Sequence, residues 1–331
     1  MFLRPVVPFV VALTCVSVTA CVTNMASVAT FGDATSTVSQ ETSVALTRMS
    51  QGCTDLLILI SSQRTLGTSV LSRGDPTPYK STSSRAQYSD AQWKTLANYV
   101  KSLQGQEGEL SSECAQMARF APIMQGVGAS LAAYASAIKA LAQNEFVTYK
   151  PVPHFQLEAI SAIPTDGPDP LLTQPQVAAI GVLQMLLHKA ATESYQQDKL
   201  KEVLSESNEE VVIRVVNALQ RVSTRYAVTL NCLRRHAQTA ADESEGLQMT
   251  GGQLEPITQP EFSLRMRAQE ATAEAKLGAL EEYVALLDEL RPTFEKARAS
   301  VDHVPAQDLA VELNDFAQAA YKVQQKMQLA F

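Results

Sequence analysis

The stretch that decides the fold is LSSECAQMARFAPIMQGVGASLAAYASAIKALA, residues 110–142. Leu110, Cys114, Met117, Ala121, Met124, Gly128, Leu131, Ala135, Ile138 and Ala142 recur every third or fourth residue and keep a seven-residue repeat over more than four heptads. A stripe of that period lies along one side of a helix, as in coiled coils and antiparallel bundles. Tyr134 and Leu141 widen it, and Pro122 predicts a bend. The small residues Ala121, Gly128, Ala135 and Ala142 predict that a neighbouring helix approaches closely.

The same three-four spacing continues on both sides. Val44, Met49, Cys53, Leu56, Leu57 and Ile60 predict a helix from about Gln40 to Gly67. Ser72–Tyr88 is a polar loop containing Arg73-Gly74-Asp75, and Ser89-Asp90 is an N-cap for a short helix with Trp93, Leu96, Val100 and Leu103. Gly105 and Gly108 separate that helix from the long one. Pro151 to Pro175 holds six prolines, which exclude a helix or a central strand and predict a crossover, a lid or a boundary. Further helices are expected over Gln176–Leu204, from Ser207 towards Asp242, over Glu261–Ser300 with a kink at Pro292, and over Ala306–Leu329. Ser244–Pro260 reads as loop.

No segment alternates at period two for long enough to argue a sheet, and no Asn-Gly hairpin signal occurs. The expectation is an all-α, elongated antiparallel bundle over residues 40–331. Its possible sub-bundles are 40–146 and 174–331, joined by the Pro-rich 147–173.

Composition agrees and narrows the function classes. The chain has 331 residues, 46% hydrophobic, with aromatics at only 6%. Alanine and straight-chain residues lose little side-chain freedom in a helix. A net charge of −7 excludes a basic nucleic-acid surface and a polybasic membrane face.

The amino terminus carries the address. Arg4 precedes the apolar run Val6–Val18, which is too short for a membrane span and closes on small residues, as an export signal does. Val18-Thr19-Ala20-Cys21 resembles the lipobox of bacterial lipoproteins. The resemblance covers about the first twenty-two residues. It implies a signal peptide over 1–20, cleavage before Cys21 and a lipid anchor on Cys21 carrying fatty acids such as palmitate. Val22, in place of an aspartate, implies onward transport to the outer membrane if the host is Gram-negative. Residues 21–39, rich in Thr, Ser, Ala and Val without a consistent period, read as the lipidated cysteine and a flexible tether.

Motifs for chemistry are weak. No histidine has an acid three residues before it, as a ferritin-like site requires. Cys232 and His236, four apart, form a weak candidate metal pair; the plainer reading is a buried cysteine beside an exposed histidine. Ser136-Ala-Ile-Lys139 matches Ser-x-x-Lys but lacks the companion motifs of that enzyme class. The carboxylates at Glu206–Glu210, Asp242–Glu245 and Glu281-Glu282 lie at helix ends or on solvent faces. No catalytic residue and no cofactor is assigned.

In an oxidising compartment Cys53, Cys114 and Cys232 allow one internal disulfide and one spare thiol. Cys53–Cys114 is the first choice, because both precede the Pro-rich break. A pair with Cys232, or three free thiols, are the other outcomes. The expected function is a non-catalytic envelope lipoprotein, facing the periplasm, whose helices bind another envelope protein as adaptor, scaffold or immunity-type inhibitor. The alternative is a binder of a small ligand or peptidoglycan, and the third class is an envelope hydrolase.

Overall fold

A computed structural model describes residues 8–73, 89–148, 172–192, 196–249, 258–302 and 307–331. About 95% of the described residues are helical, and none is in a strand. The fold class is all-α. Among the described residues seven helices follow in order: α1 (Pro8–Arg73), α2 (Asp90–Ala142), α3 (Gln174–Thr192), α4 (Gln196–Val203), α5 (Glu206–Met249), α6 (Thr258–Asp302) and α7 (Gln307–Ala330). No described helix is long and apolar enough to cross a membrane.

Several starts carry their own signals. Ser89 and Gln92 form a reciprocal cap: the Ser89 backbone N–H donates to Gln92 Oε1 at 2.7 Å, and the Gln92 N–H to Ser89 Oγ at 3.3 Å. Thr173 and Gln176 repeat half of it, with the Thr173 N–H on Gln176 Oε1 at 2.8 Å. Gly105 and Gly108 do not break α2, which runs unbroken from Asp90. A mid-helix glycine costs only ~1 kcal/mol, less than the stripe around it returns. Leu103 and Leu110, on either side of the two glycines, are both fully buried. Pro122 and Pro292 both stay inside their helices. The crossover over 151–171 and the loop centre over 74–88 lie outside the described residues.

The largest correction concerns residues 25–39. They form no tether: α1 continues through them, and Val28, Phe31, Ala34 and Val38 are buried in the core. The Ser27, Thr35 and Ser39 side chains are buried with them. Other hydroxyls of this helix return their proton to the preceding turn. Thr30 Oγ1 donates to the Ala26 carbonyl at 2.9 Å, and Ser43 Oγ to that of Ser39 at 2.8 Å.

The chain forms two compact units, neither continuous in sequence, so the division at the Pro-rich segment is also corrected. The first contains the described residues of Met1–Leu46, Pro122–Thr224 and Ala279–Leu329. Along α1 and α2 its contacts run in opposite order: Asp33 meets Lys139, Ser36 meets Ser136, and Ser43 faces Gly128. The helices touch backbone to backbone here. A Cβ on Gly32 would lie 2.6 Å from the Ala135 carbonyl oxygen and 2.8 Å from the Lys139 nitrogen. Tyr134, fully buried, donates to the Val203 carbonyl at 2.6 Å and packs on Phe294, ring centres 6.3 Å apart. Phe31 packs on Phe316 at 5.5 Å, seating α7 against α1.

The second unit comprises the described residues of Thr47–Ala121, Arg225–Gly278 and Ala330–Phe331. Met49, Cys53, Leu56 and Ile60 of α1 are buried, as are Leu103, Leu110 and Met117 of α2. Its α2 and α5 contacts again run in opposite order: Gln116 meets Arg225, Glu113 meets Thr229, and Ser102 meets Glu243. A polar layer around Ser244 interrupts the apolar core. Ser263 donates to Ser244 at 2.9 Å, and Gln259 to the Ser244 carbonyl at 3.0 Å.

Candidate functional site

The residues singled out from sequence fall in both units. Cys53 and Cys114 are bonded to each other, with Cα atoms 5.5 Å apart and a sequence separation of 61. The bond joins α1 to α2 within the second unit. In the chain-entropy picture a loop of that length is worth ~4 kcal/mol. Replacing both cysteines by serine is expected to lower unfolding stability by about that amount; chemical denaturation of the two proteins checks it.

Cys232 and His236 sit one turn apart on α5, but their environments are the reverse of the sequence expectation. Cys232 is only part-buried, whereas the His236 side chain is 11% exposed, with Nε2 3.3 Å from Glu109 Oε2. The stripe of α5 (Leu230, Leu233, Ala237) turns position 236 towards α2, which Glu109 occupies. Among the described residues no three potential metal ligands converge.

Burial holds the His236 imidazole below its ordinary pKa, although Glu109 pulls the other way. The unfolded chain therefore binds this proton more readily than the folded one. Stability from this group is complete above the unfolded value of about 6.5 and is lost as pH falls below it. His236→Gln is expected to flatten that part of the stability profile, read by urea denaturation between pH 7.5 and 5.

Ser136 and Lys139 do not act as a pair. Ser136 bonds Ser36 at 2.6 Å, and Lys139 bonds Asp33 at 2.6 Å, so both serve α1. Several members of the carboxylate clusters are engaged in helix-to-helix pairs. Arg267 of α6 gathers Asp242 at 2.5 Å, Glu245 at 2.9 Å and Glu270 at 3.2 Å. Glu209 takes Arg298 at 2.6 Å, and Glu282 takes Lys326. Cys21 lies on the path of α1, but its side chain is outside the described residues.

One place gathers polar groups around an open space. In the first unit a groove of about 770 Å³ is lined by Met25, Ala26, Ala29 and Asp33 of α1, by Lys139, Ala142 and the residues up to Glu145, and by Tyr321. Asp33 is its pivot. One carboxylate oxygen accepts from Lys139 Nζ at 2.6 Å, the other from the Tyr321 hydroxyl at 2.8 Å. The Lys139 ammonium holds the Asp33 carboxyl below the usual range against the cost of burial, and Tyr321 adds to this. Burial and the facing carboxylate push Tyr321 up to about 12.

The floor of the groove is the carboxyl end of α2. Asn144 adopts φ 60°, the Glu145 N–H reaches back to the Ala140 carbonyl at 2.7 Å, and the Asn144 N–H to that of Leu141 at 3.2 Å. This is a left-handed helix stop in which asparagine replaces the commoner glycine. Phe146, just beyond, is 82% exposed.

The sequence reading missed Asp33 and Tyr321. One signal was present: Asp33 is the single charged residue between Arg4 and Glu41. A lone charge in an apolar, hydroxyl-rich stretch asks for a partner.

Comparison with known families, with curated proteins and with solved structures finds no match to this chain.

Proposed function

We propose that this chain is a non-catalytic envelope lipoprotein, held at the periplasmic face of the outer membrane by a lipid on Cys21. Its helices, arranged as an antiparallel bundle, bind a partner envelope protein as adaptor, scaffold or inhibitor. The observation that carries this reading is the Cys53–Cys114 bond, which persists in an oxidising compartment and suits an exported chain. The apolar run closing on Val-Thr-Ala-Cys supplies the address. Asp242, Glu245, Glu209 and Glu282 are engaged with arginines and a lysine of neighbouring helices, which suits a scaffold better than a hydrolase. A second reading, a binder of a small ligand, is favoured by the groove around Asp33, Lys139 and Tyr321.

The test starts with Cys21→Ser. The wild-type chain should partition into membranes and carry an acylated N-terminal cysteine by mass, and the variant should be released or left unprocessed. Unchanged partitioning of the variant, or an unacylated wild type, sinks the reading.

A further inference from the structure

In sequence Cys232 and His236 are two metal ligands on one face of α5 without a second pair. The facing helix has one. Within the second unit α2 and α5 run antiparallel, with Ser102 opposite Glu243 and Glu109 opposite His236. A step forward on α2 is a step back on α5, so four residues beyond Glu109 the same register sets Glu113 opposite Cys232. The bond from Thr229, three residues before Cys232, to Glu113 at 3.0 Å puts Glu113 on that face. Glu109 and Glu113 on α2 thus face Cys232 and His236 on α5, each pair one turn apart.

The electrostatics keep the same order. Burial, and next the Glu113 carboxylate, push the Cys232 thiol up; Arg235 opposes them and Glu109 adds a smaller push. On His236 burial acts first, then Glu109, with Arg235 and Glu113 behind. Each α5 side chain feels both glutamates, and the one opposite it more strongly. Burial favours the neutral imidazole, which is the form that binds metals. His236 Nε2 and Glu109 Oε2 stand 3.3 Å apart. Two such donors held ~2.0–2.2 Å from one tetrahedral zinc ion stand ~3.3–3.6 Å apart.

As the side chains stand, no three potential ligands converge among the described residues. Glu113 is turned to Thr229, and the Cys232 thiol is bonded to Arg235. Rotation about side-chain bonds brings them in, and Glu109, 73% exposed, has room to follow.

We infer that Glu109, Glu113, Cys232 and His236 form a four-ligand zinc site that clamps α2 to α5 in the second unit. The mixture of sulfur, nitrogen and oxygen donors suits zinc, and four protein ligands make the site structural, with no position left for substrate. On binding, the Cys232 S–H bond breaks, its proton leaves to solvent and the sulfur lone pair passes to the metal, with no change of oxidation state. Arg235, already beside Cys232 and His236, balances the negative charge that a thiolate and two carboxylates leave over. The site does not depend on the lipid anchor proposed above.

The test titrates the full chain, its Cys53–Cys114 bond intact, with Zn²⁺ alone. One zinc per chain is expected, with a Kd below ~1 μM and a higher thermal midpoint when bound. Co²⁺ in its place should give a thiolate-to-cobalt absorption band that Cys232→Ser abolishes. Glu109→Gln, Glu113→Gln and His236→Gln should each weaken zinc by about tenfold or more, since changes even outside the ligand set do so. Circular dichroism shows whether each variant is folded; should His236→Gln lose helix, the exposed Glu109→Gln decides. No zinc uptake, no thiolate band, or glutamate variants that bind zinc like wild type overturn the site.

Discussion

A chain that begins at Gln40 is expected not to fold as the full one does. Removing residues 22–39 takes Val28, Phe31 and Val38 out of the core, each at most 3% exposed. Burial of each such side chain is worth ~1.5–3 kcal/mol, so the apolar loss alone is ~4.5–9 kcal/mol. That is the size of a typical whole-domain stability. The loss also strips Lys139 and Tyr321 of Asp33 and leaves Phe316 without Phe31. The expected outcome is loss of cooperative thermal unfolding by calorimetry and aggregation of the product. A chain starting at Cys21 or Val22 should unfold as sharply as the untruncated protein. A cooperative, equally stable 40–331 chain would mean that α1 before Gln40 is dispensable and that the packing described here is wrong.

The second large effect is expected at the α1–α2 contact, where the sign of a glycine-to-alanine change depends on what a Cβ would meet. At Gly105, Gly108, Gly246 and Gly278 nothing lies within 4 Å, so alanine should gain up to ~1 kcal/mol through helix propensity alone. At Gly32 the new carbon would press on backbone of α2, 2.6 Å from the Ala135 oxygen and 2.8 Å from the Lys139 nitrogen. Backbone cannot rotate out of the way, so the two helices must part and the surrounding core must loosen. Overpacking of this kind costs ~1–3 kcal/mol, occasionally more, and Gly32→Leu should be worse than Gly32→Ala. At Gly128 the first obstacle is the Ser43 hydroxyl, which can turn, and the second is the Ser39 carbonyl at 3.1 Å. Its alanine variant should be milder. Urea denaturation of Gly32→Ala beside Gly278→Ala checks the prediction; equal and stabilising effects at both would exclude the close approach.

The helical character of this chain was legible from residue 40 onward because its apolar residues are large and periodic. Leu110, Met117, Met124, Leu131 and Ile138 point one way, and all five are buried. The expected break at Gly105 and Gly108 failed for an energetic reason: two glycines cost a kilocalorie or so each, and the stripe on either side outweighs them. Residues 25–39 failed for a different one. Their inward face is built from Ser27, Thr35 and Ser39 as much as from Val28 and Phe31. Hydroxyl residues look like linker by composition, yet they are small, and a small residue is what two helices need to touch along their backbones. The site was harder still: Asp33, Lys139 and Tyr321 lie 106 and 288 residues from one another along the pairs they form.

The sequence by itself determined the class of the fold, the stripes that face inward, the position of the cap at Ser89, and the short list of cysteines free to pair. All of these follow from local rules, where a residue's neighbours three and four positions away decide its environment. Only the tertiary structure decided which helix fills the small-residue seam of α2, that α1 begins well before Gln40, that His236 turns inward while Cys232 does not, and that Asp33 joins Lys139 and Tyr321 at the groove. Each of these is a choice of partner between segments far apart in sequence. Helical periodicity says which side of a helix is buried, and packing alone says against what.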